Sequence, residues 1–252
     1  MDINEVISLV KQTKSLIDNR DLASHVKTKG RADYVTQVDM GVQKFLSEKL
    51  YELAPDVDFL GEEDGLHKMK GDTFWILDPV DGTTNLIHDY KHSAVSLGLY
   101  SRGEIVMGVI YEPFRDEVFY AEKGGGAFLN GAPIHVAEAE TLSECLITCG
   151  IAPYYKELGD LGFQRMSRIY QKCQDIRRTG SAAIDFAYTA CGRVGGYFED
   201  KLQPWDFAAG SLIVTEAGGT VTDFAGKPVD LLKQGQVLAT NGKLHGELME
   251  LL

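Results

Sequence analysis

Five carboxylates of the 252-residue chain stand in places that surface solvation does not explain. Glu62 and Glu63 follow the apolar run "DFLG", Asp78 and Asp81 follow "FWIL", and Asp206 opens "WDFAAGSLIVTEAGG". A carboxylate at the end of a core strand or the start of a core helix either becomes neutral or meets a cation. Turn propensity accounts for the Pro and Gly of "DPVDG", and a helix cap accounts for Asp206 taken alone. Neither accounts for bulky apolar residues leading into every acidic group. In open α/β folds, strand ends and helix starts converge at one edge of a sheet, where such folds bind ligands. Oxygen donors with no His or Cys among them point to magnesium rather than zinc.

The elements that must place these groups follow from apolar periodicity. Ile3, Val6, Ile7, Val10 and Ile17, with Asp2 and Glu5 in capping-box register, predict an amphipathic helix to about Arg20. Val42, Phe45, Leu46, Lys49 and Leu53 predict a second helix after Thr36 and Asp39, stopped by Pro55. "VDFLGEEDG" predicts a short buried strand broken by a turn, and "TFWILDP" predicts another. From His92 to Ile134, runs such as "SAVSLGLY", "IVMGVIYEP" and "VFYAE" alternate with turn residues, the pattern of an antiparallel meander. The Gly124 to Gly126 triplet lies between two such runs and reads as a turn rather than a phosphate cradle.

After about Ala137, strands ("CLITCG", "DIRRT", "GYFE", "TVTDF", "VLAT") alternate with helices near residues 157 to 173, over "SAAIDFAYTACG" and "WDFAAGSLIVTEAGG", and from Lys243. The expected layout is two tightly packed halves. Residues 1–136 are expected to form an α+β half with the antiparallel sheet and most metal ligands, and residues 137–252 an α/β half with the substrate pocket and Asp206.

Composition narrows the partners. With 37 acidic against 25 basic residues the net charge is −12, which repels a polyphosphate backbone, so no nucleic-acid partner is expected. A phosphorylated small molecule would need metal ions to approach. No run nears the roughly 18 apolar residues of a membrane span, and the first residues lack a basic-then-apolar leader, so a cytoplasmic protein without membrane contact is expected. Cys145, Cys149, Cys173 and Cys191 form no CxxC pair and are expected to be buried free thiols. His88 and His92 lie four apart, but Asp89, Tyr90 and Lys91 between them read as a connection rather than a metal-binding helix.

The blocks "GEE" at 61–63, "WILDPVDGTTNLIH" at 75–88, "YEPFRDEVFYAEKGGGAFLNG" at 111–131 and "WDFAAGSLIVTEAGG" at 205–219 span most of the chain. Together they resemble the inositol monophosphatases, within the lithium-sensitive, magnesium-dependent phosphatases that include fructose-1,6-bisphosphatase. The resemblance implies an α/β fold, a layered alpha-beta-alpha-beta-alpha sandwich, and a homodimer. It implies two or three Mg2+ ions held by Glu62, Asp78, the Val80 carbonyl, Asp81 and Asp206, with Asp78 between two of them. Glu62 and Thr83 would orient and activate the attacking water, and the Gly82 and Thr83 amides would hold phosphate. Glu63, Asp33, Thr36 and Asp39 would support the site from behind.

For the substrate, Glu199 in "GYFEDKLQPWD" matches the glutamate that bonds substrate hydroxyls in the inositol phosphatases, and Gly180, Ser181 and Ala182 of "TGSAA" match the adjoining loop. The expected reaction is hydrolysis of a phosphorylated polyol, myo-inositol 1-phosphate first. Related enzymes act on fructose 1,6-bisphosphate, histidinol phosphate or 3'-phosphoadenosine 5'-phosphate, and no clear aromatic and polar set for an adenine stands out. One stretch departs from the family pattern: Lys29 lies one residue closer to Asp33 than the usual lysine, with Gly30 and Arg31 replacing small polar residues. The rival class is a regulatory or binding module on the same fold. A lost ligand would be its usual sign, and none is missing.

Overall fold

The computed structural model of the protein describes residues 1–30, 33–64, 71–151 and 153–252. Arg31, and Gly65 at the end of "VDFLGEEDG", lie outside the described residues. The single N-terminal helix expected to Arg20 is three shorter ones, α1 (Ile3–Gln12), α2 (Lys14–Ile17) and α3 (Arg20–Ser24). The buried Thr13 hydroxyl bonds back to the Val10 carbonyl at 2.7 Å and breaks the first helix, as Thr does when it competes for helix carbonyls. Asn19 then caps α3 by accepting from the Asp21 and Leu22 amides.

A hairpin that periodicity did not predict follows, β1 (Val26–Gly30) against β2 (Asp33–Thr36). It carries Lys29 and leads into α4 (Gln37–Leu53), whose Thr36 and Asp39 form a reciprocal capping box. Val38, Val42, Leu46 and Leu50 are the fully buried stripe of α4. Lys49 stays off it and pairs with Glu52.

Seven strands form one sheet in sequence order: β3 (Asp58–Gly61), β4 (Thr73–Asp81), β5 (Ala94–Ser101), β6 (Glu104–Glu112), β7 (Glu117–Glu122), β8 (Ala127–Leu129) and β9 (Ala132–Ile134). β3 and β4 are parallel, and the other neighbours are antiparallel. The short helix α5 (Thr83–Ile87) leaves the end of β4. A second sheet contains β10 (Leu146–Cys149), β11 (Asp175–Arg177), β12 (Gly196–Leu202), β13 (Thr220–Thr222) and β14 (Gly235–Thr240), ordered β11-β10-β12-β14-β13. The remaining helices are α6 (Gly159–Tyr170), α7 (Ala182–Ala190), α8 (Pro204–Glu216) and α9 (His245–Leu251).

Strand alternation builds the layers. Trp75 and Leu77 of β4 pack with Val10 and Val42 of the N-terminal helices, whereas Phe74 and Ile76 pack with Phe186 of α7 and Phe207 of α8. Tyr197 and Val237 of the second sheet meet the same middle helices, and its other face packs Ile147 and Leu238 against Ile169 of α6 and Leu248 of α9. The outcome is the expected five-layer α-β-α-β-α sandwich. All four cysteines are free, Cys145 and Cys149 buried, Cys173 and Cys191 half-buried. No helix among the described residues is long and apolar enough to cross a membrane.

Candidate active site

Residues three apart on a strand face opposite ways. Asp78 pairs with Ser96 and Asp81 with Ala94, so a step of three on β4 spans a step of two on β5. This bulge turns both carboxylates to one face, toward the helices between the sheets. Pro79, which has no N–H to give to a ladder, lies inside the bulge. The Val80 amide donates to Asp78 Oδ1 at 2.9 Å, and Ser96 donates to the Trp205 carbonyl at 3.1 Å, fastening the start of α8 beside them.

Each remaining acid arrives from its own element. Gly61 of β3 pairs with Leu77, so Glu62, opening a 3-10 turn, comes level with Asp78. Asp206 is the third residue of α8 and accepts from the Gln203 backbone amide at 2.7 Å, a tie across the first turn that satisfies an N–H left open at the helix start. Asp81 Oδ2 accepts from the Ser181 hydroxyl at 2.5 Å and the Ala183 amide at 2.6 Å, and Ser181 also caps α7. Asp39, fully buried, accepts from the Thr36 amide and hydroxyl on one oxygen and from the Thr83 hydroxyl at 2.9 Å on the other. The Thr83 oxygen is also 3.0 Å from the Val80 carbonyl. It has one proton for these two acceptors and keeps its lone pairs for a donor such as water.

Gly82 holds the turn between β4 and α5 at φ 90°, and a Cβ there would sit 3.1 Å from the His92 carbonyl and 3.2 Å from the Gly180 carbonyl. Only glycine fits this crossing. It sets the Gly82–Thr83 turn directly against the Gly180 loop.

The charges are poorly balanced. Burial pushes Asp78 and Asp206 well above the usual carboxylate range, and their acidic neighbours push further. Burial raises Asp81 to about 6 and Glu63 to about 7, and it raises Glu62 and Asp39 as well. Lys29 brings an ammonium to this group, 3.1 Å from Glu62 and 2.7 Å from Glu63, and among the described residues no other lysine pairs with these acids. Burial pulls that lysine down, but Glu62 and Glu63 more than offset it and hold it protonated. Among the described residues no three acidic, His or Cys side chains already stand as a closed metal cage.

These groups line a cavity of about 1090 Å³. Of the residues expected at the site, it brings together Asp33, Glu62, Asp78, Val80, Asp81, Gly82, Thr83, Gly180, Ser181, Ala182, Glu199 and Asp206. Thr36, Asp39 and Glu63 stand behind its wall. Glu199 takes the Tyr197 hydroxyl at 2.6 Å and lies over Gly150, where a Cβ would come within 1.8 Å of its carboxylate. His88 ends α5 at the cavity edge, whereas His92 is buried near Glu112, 3.9 Å away. The Gly124 and Gly126 amides are taken by the Glu216 carboxylate at 2.8 and 3.0 Å, so the glycine triplet is indeed a turn.

The sequence profile of the inositol monophosphatase family matches residues 3–252. The chain belongs to that family. It is 42% identical over 229 residues to an inositol-1-monophosphatase of Synechocystis sp., covering 90% of this chain and 79% of that protein. It is 39% identical over 223 residues to the Nus factor SuhB of Escherichia coli, with 88% and 83% covered. The crystal structure of the extragenic suppressor protein suhB from Bartonella henselae superposes with a TM-score of 0.92 at 37% identity, covering 99% of this chain and 97% of that one.

Three features of this inositol monophosphatase family member escape a reading of motifs. The outer cavity wall carries Tyr154, Tyr155 and Phe163 with Lys156, Lys201 and Gln234, an aromatic and polar set that the sequence scatters over 81 positions. Asn85 ties two loops together. Asp185 lies buried on α7, and its signal was available, an acid four residues after Ser181 in the otherwise apolar "AAIDFA".

Proposed function

We propose that the chain hydrolyses a small phosphate monoester with magnesium, myo-inositol 1-phosphate being the leading substrate. The observation that carries this reading is the meeting of Glu62, Asp78, Asp81 and Asp206 on one cavity floor, beside the Gly82–Thr83 turn. The phosphatase names of relatives such as the Synechocystis protein support the chemistry. The donor set fits a hard divalent cation: carboxylate oxygens and the Val80 carbonyl, with too little positive charge of their own. Glu62, Asp78, Val80, Asp81 and Asp206 would hold two or three ions. Bound there, magnesium supplies Lewis-acid polarisation and lowers the pKa of water.

The chain's own groups do the rest. The Gly82 and Thr83 amides hold the phosphate, and Glu62 orients the attacking water. Thr83 Oγ1 takes a proton from that water as it gives its own toward Asp39 Oδ1, a transfer set up by the 2.9 Å bond between them. Gly180, Ser181 and Ala182 border the leaving alcohol, and Glu199 accepts from its hydroxyls. Water displaces the alcohol directly, with no covalent enzyme intermediate, and the departing oxygen takes its proton from solvent water in the open cavity.

The test is phosphate release from myo-inositol 1-phosphate, fructose 1,6-bisphosphate, histidinol phosphate and 3'-phosphoadenosine 5'-phosphate, with magnesium and with EDTA. Preference for the inositol ester, abolished by EDTA, is expected. A different preferred ester would move only the substrate assignment, whereas no metal-dependent release from any would overturn the reading. The Nus factor name of the Escherichia coli relative motivates the second reading, a regulatory or binding role on this fold. Stoichiometric capture of a macromolecular partner by a protein without turnover would favour it. A cytoplasmic homodimer completes the proposal, its mass to be read by light scattering.

A further inference from the structure

The loop between β11 and α7 brings Arg178, Gly180 and Ser181 to the cavity and is fastened from three directions. The Asn85 side-chain amide donates to the Thr179 carbonyl at 2.9 Å and to the His92 carbonyl at 2.8 Å. Asn85 stands two residues after Thr83, so one amide joins the turn that opens α5 to this loop and to the chain entering β5. On the opposite side the Thr179 hydroxyl donates to Asp185 Oδ2 at 2.9 Å. The third tie is the Ser181 hydroxyl on Asp81.

Asp185 is the unexpected member. It is 2% exposed and borders the cavity among Ala182, Ala183, Ile184, Phe186 and Ala187. The Thr148 hydroxyl stands close enough to favour the carboxylate, but among the described residues no donor reaches Oδ1 in good hydrogen-bond geometry. A buried carboxylate oxygen without a partner is costly, and an apolar residue would serve the packing of α7 better. What the carboxylate does supply is an acceptor for Thr179.

We propose that Asn85 and Asp185 are positioning residues that hold the 178–181 loop in register with the Gly82–Thr83 turn, so that the departing alcohol is read against Glu199 while its phosphate is held at the turn. The proposal rests on the phosphatase reading above. It separates the two ends of the substrate. An ester whose alcohol makes no specific contacts needs only the phosphate end, whereas a polyol ester needs both ends at the right separation, where a small misplacement weakens the rate strongly.

The experiment measures kcat and KM for Asn85→Ala, Thr179→Val, Asp185→Ala and Asp185→Asn on the preferred polyol phosphate and on p-nitrophenyl phosphate, with magnesium. Thr179→Val keeps the shape of the side chain and removes only the bond to Asp185. It is expected to lower kcat/KM for the polyol ester by on the order of 10- to 100-fold, with little change for p-nitrophenyl phosphate. Asn85→Ala and Asp185→Ala are expected to show the same polyol loss. Asp185→Asn, which keeps an acceptor for Thr179, should retain most of the preference. Parallel loss on both substrates, or an unchanged preference in Thr179→Val, overturns the proposal. A wild-type protein that releases phosphate from neither ester overturns the phosphatase reading itself, and this proposal with it.

Discussion

Asp81→Asn separates what the second β4 carboxylate does for chemistry from what it does to the fold. Burial, reinforced by the Glu199 charge, raises Asp81 from 3.8 to about 6 even though Ser181 and Ala183 donate to it. An acid raised on folding destabilises the folded state when ionised; the penalty is absent below the unfolded value and complete above the folded one. At about 1.4 kcal/mol per pH unit, the shift from 3.8 to about 6 costs the metal-free protein about 3 kcal/mol at pH 8. Asparagine keeps an oxygen for Ser181 and Ala183 and offers its NH2 to the neighbouring carboxylates Asp78 and Asp206. In EDTA at pH 8 the variant is therefore expected to melt about 6–12 °C above wild type, at about 2–4 °C per kcal/mol for a chain of this size. Magnesium should raise the Tm of wild type by more than it raises that of the variant. Phosphate release should fall by at least on the order of 100-fold, more than the loss typical of groups that only support a ligand. Differential scanning fluorimetry and a phosphate-release assay read these outcomes. A variant that melts below wild type in EDTA and gains as much stability from magnesium as wild type does would refute both the charge argument and the ligand role.

The same carboxylates predict a pH response. Glu63 is held up to about 7 and Asp81 to about 6, so folding takes up protons across this window, and the Tm of the EDTA-treated protein should rise as pH falls from 8 to 6. A flat or falling Tm there would contradict the charge balance described. Thr83→Val removes the hydroxyl between Asp39 and Val80 at constant shape; kcat should drop by about 10²–10⁴-fold with magnesium affinity spared. Near-normal turnover would take Thr83 out of the water-activating role. Gly150→Ala places a methyl where the Glu199 carboxylate now lies, 1.8 Å from it, and should raise KM and alter the preference among phosphorylated polyols, as Glu199→Gln should. Unchanged kinetics in both variants would remove Glu199 from the substrate pocket.

What could be read before the structure, and what could not, divides along local and long-range information. The apolar run of Phe74 to Leu77 and the acids that follow it are local, and Asp78 and Asp81 line the cavity. The capping residues Thr36 and Ser181 are local too. The bulge that turns Asp78 and Asp81 to one face is a matter of register with β5, and nothing in "DPVD" states it. The N-terminal helix failed at Thr13, where one hydroxyl bond outweighs a continuous apolar stripe. The β1–β2 hairpin lacked a signal because its first strand, "VKTKG", is exposed throughout and carries no buried face to alternate. Its consequence, Lys29 reaching Glu62 and Glu63 across 33 and 34 positions, needed the fold. Asn85 and the Tyr154, Tyr155 and Phe163 wall are legible only when distant segments are brought together.

On the proposed function, the carboxylates around Asp78 form a divalent-cation site on which turnover depends. Its most direct test is a magnesium titration of EDTA-stripped protein, followed by calorimetry and by the fluorescence of Trp205, the neighbour of Asp206. Wild type is expected to bind saturably, with Trp205 responding, and Asp78→Asn and Asp206→Asn to lose the binding together with phosphate release. Magnesium binding in both variants equal to that of wild type would contradict the account.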